Sequence, residues 1–322
     1  ATSNIGLGAN AVNSITTGDR NVGLGDNAGT AITSGSNNTT VGHSSSLALT
    51  TGVNNTVFGY TALGSGTSAG YNTAMGFAAL YTNVSGGENV ALGYNALYAN
   101  TADNNTALGS QALETNTSGA NNVAVGRQAL EANTTASDNT AVGYRSLATN
   151  TTGAGATAVG RDSLYSNTTG TFNTAVGKYA LWANTTANSN TAVGYDSLGA
   201  NVTGTQNVAM GHNSMLANTG SYNTSIGFES LKANVGGANN VAVGVNAMLS
   251  NTTGHSNVAV GANALDVNIS GNYNLAVGKD SLGGNTTGGG NISVGASTLL
   301  TNTTGGDNVA MGNDALRANT TA

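Results

Sequence analysis

Histidine, aspartate and glutamate are the side chains of this sequence whose chemistry suits acid–base catalysis or metal binding. The chain has three histidines (His43, His212 and His255), fourteen acidic residues and no cysteine. Catalysis needs such groups within hydrogen-bond reach of one another, and a metal site needs several ligands at one point. The missing cysteine excludes disulfides and thiolate ligands. Whether the imidazoles and carboxylates meet depends on the elements that carry them.

A seventeen-residue repeat runs through the chain. Glycine follows an apolar residue at Gly8, Gly25 and Gly42 and at this spacing onward, with one residue missing before Gly109 and one before Gly227. Counted from the asparagine that opens most repeats, this glycine is position five; 139–155, reading NTAVGYRSLATNTTGAG, is a regular example. Short repeats of fixed period are typical of solenoids, in which each rung contacts only its neighbours. Both missing residues fall after position twelve, so we predict a loop there.

The same position in successive rungs forms a column, and each column has its own composition. Position four is always apolar, position nine is leucine or methionine from Leu63 onward, and positions three and eight are small. Alternation and β-branched residues favour strands, and a glycine in every rung disfavours helix. We predict an all-β, parallel β-solenoid of about nineteen rungs, each of two short strands joined by turns. At ~4.8 Å per rung it would form a stiff rod roughly 90 Å long.

Ladders of identical residues should hold such rungs together. We expect leucine and valine ladders to bury a continuous apolar strip, and stacked asparagines to satisfy one another's amides. The structural asparagine ladder is predicted at position twelve, including Asn133, Asn150, Asn167 and Asn184. Residues 1–66 carry Ile15, Ile32, Leu49 and Gly66 at this position instead, so we interpret 1–66 as variant N-terminal rungs and 67–322 as the regular solenoid.

Stacking of rungs disperses the chemical groups. His43 and His212 share position six but lie ten rungs apart, roughly 48 Å at the rung spacing. Asp162, Asp196 and Asp280 share position seven and are separated by two or more rungs. We therefore predict no catalytic, metal or cofactor-binding site and interpret the protein as not an enzyme. The net charge of −6 with only eight Lys and Arg argues against nucleic acid, and no apolar run is long enough for membrane insertion by this segment.

Aromatic residues recur at positions six and ten, which with position seven we expect to be exposed. As candidate surface or interchain contacts we single out seven residues: Tyr60, Tyr94, Tyr98, Tyr144, Tyr165, Trp182 and Tyr195. Two interpretations stay open. The rings either pack against a neighbouring chain or form a stripe that binds sugars or a surface. Asparagines in NxS/T sequons at position twelve would crowd if every rung were glycosylated.

The rung sequence resembles a known repeat. The segment 122–132, reading NVAVGRQALEA, and 143–148, reading GYRSLA, are similar to the head repeat of YadA-like trimeric autotransporter adhesins, and related repeats occur in tail-fibre-like proteins. The resemblance implies a left-handed parallel β-roll and a homotrimer, located extracellularly on a cell or virion surface, with a host-surface protein or glycan as partner. This chain departs from the pattern in its extra NTTG segment and in threonine at position two.

Two other functions fit the repeat. A self-assembling filament would stack such chains end to end. An ice-binding solenoid would present regular threonine arrays, although Thr151 and Thr152 are adjacent and lack the alternate spacing that puts both hydroxyls on one strand face. The resemblance favours the structural fibre or adhesin-type spike.

Overall fold

The structure is a computed structural model that describes residues 3–320, and within them it contains nineteen three-residue strands and no helix. The chain divides into two compact units, Ala1–Arg161 and Asp162–Ala322. The first unit contains ten strands: β1 Ile5–Leu7, β2 Val22–Leu24, β3 Thr39–Val41, β4 Thr56–Phe58, β5 Thr73–Met75, β6 Val90–Leu92, β7 Thr106–Leu108, β8 Val123–Val125, β9 Thr140–Val142 and β10 Thr157–Val159. The second contains nine: β11 Thr174–Val176, β12 Thr191–Val193, β13 Val208–Met210, β14 Thr224–Ile226, β15 Val241–Val243, β16 Val258–Val260, β17 Leu275–Val277, β18 Ile292–Val294 and β19 Val309–Met311.

Within each unit every strand pairs in parallel with the strand of the next rung. Thr140 lies beside Thr157 in the first unit and Thr174 beside Thr191 in the second, so equal positions of neighbouring rungs are in register. This arrangement is a parallel β-solenoid with a seventeen-residue rung, as the repeat predicts. In-register stacking is what turns each column of the sequence into a ladder.

From β3 onward each strand turns one side chain inward and two outward. In β10 the central Ala158 is fully buried, whereas Thr157 and Val159 are half-buried and exposed. The rest of the apolar core of the regular rungs comes from positions eight and nine, where Ala129 and Leu130 are fully buried. The predicted leucine ladder is therefore inside, but the valine column at position four lies on the outer face, where the prediction of burial is wrong. A three-residue strand has room for only one inward side chain, and the small residue at position three takes that place.

The prediction of two strands per rung is also wrong. After the glycine at position five the backbone is left-handed at positions seven and nine, as at Arg145 (φ 54°) and Leu147 (φ 52°). Two left-handed residues two positions apart fold the segment into consecutive turns, and no strand forms there. The same turns pull position seven inward: most of its side chains are half-buried and Asp162 is 3% exposed, so the expectation of an exposed column is wrong there.

Glycine at position five is required by close approach between rungs. Gly143 has φ +132°, and a Cβ on it would lie 2.6 Å from the carbonyl oxygen of Gly160 in the next rung. Any side chain would therefore push neighbouring rungs apart. The repeat's one invariant residue thus stands at a close backbone contact between neighbouring rungs.

The two missing residues fall in the loop after position twelve. The amide of Asn83 donates to the carbonyl of Gly86 three residues on, whereas Asn100 reaches Ala102 and Asn218 reaches Gly220 two residues on, each at 2.8 Å. In these two rungs the loop is one residue shorter, but the asparagine keeps its hydrogen bond to the loop carbonyl. The next strand is therefore in register with its neighbours.

The first rungs fill their core differently. Ile32 and Leu49 at position twelve are fully buried, and position nine is Gly29 or Ser46 instead of leucine. A Cβ on Gly29 would lie 2.8 Å from Cδ1 of Ile32. The large side chain thus enters the core from position twelve and occupies the space that leucine fills from position nine in later rungs. The variant rungs belong to the same solenoid, with a compensated core.

Candidate functional site

Position-six rings of the first unit form a continuous stack. His43, Tyr60, Phe77 and Tyr94 have successive centroid distances of 5.3, 5.4 and 5.3 Å and interplanar angles of 9–16°. The parallel, in-register rungs cause this stacking, because equal positions of neighbouring rungs are about 4.8 Å apart, close to the centroid separation of stacked aromatic pairs. Both faces of Tyr60 and of Phe77 are covered, and their edges remain outside.

The second unit repeats the arrangement. Tyr195, His212 and Phe228 stack at 5.1 and 5.4 Å, and Tyr179 at position seven meets Tyr195 edge-on. At position ten, Tyr81 and Tyr98 of the first unit stack at 5.3 Å. Each of these parallel stacks lies within one column.

The seven candidate contact residues differ in exposure. Tyr60, Tyr94, Trp182 and Tyr195 are 51, 52, 44 and 42% exposed, whereas Tyr98, Tyr144 and Tyr165 are half-buried. Sugar binding by stacking needs an open ring face. The interior rings of a stack present only edges, so the stacks suit contact with a flat surface or another chain better than they suit a sugar ring.

Tyr144 has different neighbours. The Cζ atoms of Arg127, Arg145 and Arg161 lie 5.9, 5.4 and 5.8 Å from its ring centroid. Arg127 and Arg161 stand at position six in the rungs on either side, and Arg145 stands beside Tyr144 at position seven. Sequence reasoning missed this cluster, although column six of the sequence reads Arg, Tyr, Arg in three successive rungs.

The position-twelve asparagines lie inside the core. In the first unit Asn133 Nδ2 donates to Asn116 Oδ1 (2.8 Å), and Asn150 Nδ2 donates to Asn133 Oδ1 (3.1 Å). In the second unit Asn184 Nδ2 donates to Asn167 Oδ1 (2.8 Å). All of these side chains are fully buried, and the amides also bond the carbonyl three residues on, as Asn167 does with Gly170. Buried amides held in this way are inaccessible for N-glycosylation in the folded chain.

A second asparagine ladder runs along position one. Asn122 Oδ1 accepts a hydrogen bond from the backbone N–H of Asn139 (3.0 Å), and Asn122 Nδ2 donates to the carbonyl of Ala136 (2.9 Å). Ala156 interrupts the ladder, and its N–H still bonds Asn139 Oδ1 at 2.8 Å. Each asparagine at the start of one strand thus bonds both the loop that leads to the next strand and the residue that opens the next rung.

Three acidic groups of the second unit have perturbed pKa values. Burial raises the pKa of the Asp196 carboxyl, an effect that the nearby His212 partly opposes. Burial also raises the pKa of Asp266, and the charge of Asp280 adds to it. A hydrogen bond from Lys232, with an Nζ–Oε1 distance of 2.7 Å, lowers the pKa of Glu229.

Among residues 3–320 no group of three or more histidine, aspartate or glutamate side chains is placed to hold a metal ion. Within the same part of the chain no helix is long and apolar enough to cross a membrane.

The outer face of the strands is uncharged throughout. Position two carries only threonine, valine, leucine or isoleucine, and position four only aliphatic residues, methionine or phenylalanine. Several of these side chains are exposed well inside a unit, among them Leu92 (46%), Met210 (41%) and Ile226 (40%). Large contiguous apolar surfaces on soluble proteins mark sites of interaction.

The chain matches no protein-family model. A comparison with curated proteins likewise finds no similar protein.

Proposed function

We propose that this protein is a structural subunit that associates with copies of itself, as a homotrimer, in an extracellular fibre or adhesin-type spike. The observation that carries the proposal is the uncharged outer face formed by positions two and four. A sheet with one face in water normally carries polar residues on that face and apolar residues on the other. Exposed strand edges that pair with no other chain are often protected by charged side chains. A face that is apolar or threonine in every rung is better matched by a second protein surface.

A copy of the same chain is the partner that fits this face best. Two identical faces repeat at the same rung spacing, so side chains of one can interdigitate with those of the other over many rungs. The aromatic stacks at position six, which present their ring edges outward, would extend that contact. The resemblance to trimeric adhesin heads supports three chains and a left-handed roll, and host-surface binding would be the biological role of the assembled fibre.

The test is the mass of the purified chain in solution by light scattering. We expect a discrete trimer of the 31.5 kDa chain. Leu92→Lys combined with Met210→Lys places a charge on the outer face of each unit and should yield monomers, because burying unpaired ammonium groups is costly. Thr135→Lys, at an exposed loop position, is the matched control and should leave the trimer intact. A wild-type monomer would overturn the proposal, and open-ended polymers would favour the self-assembling filament.

Ice binding is a second candidate, favoured by one feature of the outer face. Threonine at position two and valine at position four stand side by side on successive strands, as Thr140 and Val142 do beside Thr157 and Val159. Such a flat array of methyls and hydroxyls could order water only if no other chain covers it. Faceted ice growth in the presence of a monomeric chain would support this function, and unshaped ice would exclude it.

A further inference from the structure

Position seventeen, the last residue of each rung, carries three aromatic rings in the second unit. Phe172, Tyr222 and Tyr273 are 69, 58 and 67% exposed, more than Tyr195 (42%) and Phe228 (48%) in the stack at position six. Polar residues separate them along the column: Ser189 and Gln206 stand between the first two, and Asn239 and Ser256 between the last two. No ring of this column therefore covers another, and all three stay largely open to solvent.

The backbone at these positions indicates that the rings are not there for stability. The φ angle is 56° at Phe172, 63° at Tyr222 and 57° at Tyr273. This left-handed conformation suits glycine and asparagine but is unfavourable for bulky side chains. Other rungs of the unit use those residues here, as at Asn239 and Gly290. Strained residues that bury little surface contribute little to the fold, and strain of this kind concentrates where ligands bind.

Hydrogen bonds between rungs hold this column in place. The N–H of Tyr222 donates to the carbonyl of Thr205 (3.0 Å), and the N–H of Tyr273 donates to the carbonyl of His255 (3.2 Å). At position sixteen, Asn272 Oδ1 accepts a hydrogen bond from the N–H of His255 (2.8 Å). Successive rings are three rungs apart, which separates their backbones by about 14 Å. The rings are thus held at a regular spacing before any ligand binds.

The loop surface around the rings carries no formal charge. Between residues 168 and 273, positions thirteen to seventeen contain no lysine, arginine, aspartate or glutamate. The exposed residues between the rings, among them Ser189, Gln206 and Asn239, offer hydroxyl and amide groups instead. Aromatic rings can cover the apolar C–H face of a sugar, and hydroxyls and amides can bond its rim. This composition suits a neutral sugar better than a charged ligand.

We propose that Phe172, Tyr222 and Tyr273 form a binding site for an extended, neutral polysaccharide that lies along the stack of rungs. The sugar rings of a β-1,4-linked chain follow one another at a distance close to the rung spacing, so every third sugar meets an aromatic ring. A chain with threefold helical symmetry, as in xylan, turns the same face to the protein at every third sugar. A twofold chain, as in cellulose, turns opposite faces at that interval. The spacing therefore favours a xylan-type backbone.

A protein partner fits this column less well. Protein interfaces have a contiguous apolar core surrounded by a polar rim. Here each ring stands about 14 Å from the next, with polar residues between them. Nucleic acid also fits poorly, because single strands are bound by a basic groove and these loops carry no lysine or arginine.

The affinity of the full chain for linear oligosaccharides, measured by isothermal titration calorimetry, tests the site. Xylohexaose can reach two rings and should bind about tenfold or more tightly than xylotriose, which reaches one, because the second contact is then intramolecular. Cellohexaose should bind more weakly than xylohexaose, and isomaltohexaose, a flexible α-1,6-linked chain, should not bind. Added salt should leave the affinity unchanged, since no charges take part.

Tyr222→Asn removes the central ring and leaves Phe172 and Tyr273 too far apart for one hexasaccharide. Its affinity for xylohexaose should fall about tenfold or more, to the level of xylotriose. The variant should fold, because asparagine suits a φ of 63°. Tyr71→Asn is the matched control. It makes the same change at position seventeen of the first unit, where φ is 60° and the column holds no second ring, and it should leave the affinity unchanged.

Equal losses in the two variants, equal affinity for xylotriose and xylohexaose, or no binding of any oligosaccharide by the wild type would overturn the proposal. Tighter binding of cellohexaose than of xylohexaose would overturn the choice of a xylan-type chain. The site rests on the proposed function only in giving the fibre a ligand, because all three rings belong to one chain. Light scattering on each sample separates the two: a wild-type monomer that binds xylohexaose overturns self-association alone, and a trimer that binds no sugar overturns the site alone.

Discussion

At the scale of single residues, the unusual feature is leucine in a left-handed backbone conformation at position nine. Leu147 has φ 52° and is fully buried, and Met215 and Met248 replace leucine at φ 51° in other rungs. Non-glycine residues rarely adopt this conformation, and for β-branched residues it is strongly unfavourable. From Leu63 onward the column therefore holds only side chains that are large, apolar and unbranched at Cβ, whereas the first rung has Val12 there at φ 43°.

This selection predicts opposite outcomes for two conservative substitutions. Leu147→Ile should lower the free energy of unfolding by about 1–3 kcal/mol, since isoleucine has nearly the same volume but is strained at φ 52°. Leu147→Met should cost less than about 1.5 kcal/mol, as for other volume-conserving core changes. Urea unfolding followed by circular dichroism measures both. Equal losses would mean that packing alone, and not backbone strain, fixes the residue.

The same residues explain what sequence reasoning could and could not predict. The period and the leucine ladder can be predicted from the composition of each column, because in-register stacking places equal positions beside one another. The inward orientation of the small residue at position three was not predicted, since the larger valine column was expected to be buried instead. Left-handed leucine is too rare to be expected, so the sequence predicts a second strand after Gly143, where the structure has turns. The arginine cluster does not show in the composition of any single column, because Arg127 and Arg161 stand at position six and Arg145 at position seven.

At the scale of the element, asparagine ladders join each three-residue strand to the loops. A strand of this length offers few backbone bonds of its own. Asn122 adds a bond to the carbonyl of Ala136, near the end of its own rung, and a bond from the N–H of Asn139, which opens the next rung. The ladders thus supply part of the cohesion that longer strands supply in other sheets.

Removal of one ladder side chain should therefore be costly. Asn122→Ala leaves the buried N–H of Asn139 without a partner, while the carbonyl of Ala136 keeps its bond from Asn133 Nδ2, and should lower the free energy of unfolding by about 1–3 kcal/mol. Thr135→Ala, at an exposed position, is the control and should stay within about 0.5 kcal/mol. Thermal and urea unfolding measure the difference. If Asn122→Ala leaves the free energy of unfolding unchanged, the position-one ladder tolerates the loss of any one asparagine, as it does at Ala156.

Asn122→Asp extends the test to pH. A buried carboxyl has a raised pKa in the folded state, so the folded chain binds the proton more tightly than the unfolded chain. Stability should then fall as pH rises through the unfolded value of about 3.9 and level off only above the folded pKa. The parent chain lacks this carboxyl, so the difference between the two unfolding curves should grow over that window. A constant difference from pH 3 to pH 7 would show that the carboxylate reaches water.

At the scale of the whole molecule, stability is built from repeated contacts between neighbouring rungs. Within each unit the strands pair only with the rung before and the rung after, so every interior rung can in principle be replaced by its neighbour. Deletion of residues 240–256, one full rung, would bring the rung that starts at Asn223 onto the rung that starts at Asn257. Leu231 would then pack against Leu265 where it now meets Met248, and the small residue at position three would meet another small residue.

We expect this seventeen-residue deletion to fold with a single urea transition, a slightly lower m value because less surface is exposed on unfolding, and little change in midpoint. Deletion of residues 240–248 from the same place is the control. It removes about half as much chain but shifts every later column out of register, which places polar residues inside and should abolish the cooperative transition. If the two deletions behave alike, the rungs are not interchangeable and the units fold through longer-range coupling. If only the full-rung deletion folds, contacts between neighbouring rungs are sufficient to specify the solenoid, and the length of a functional fibre can change by whole rungs without loss of its outer face.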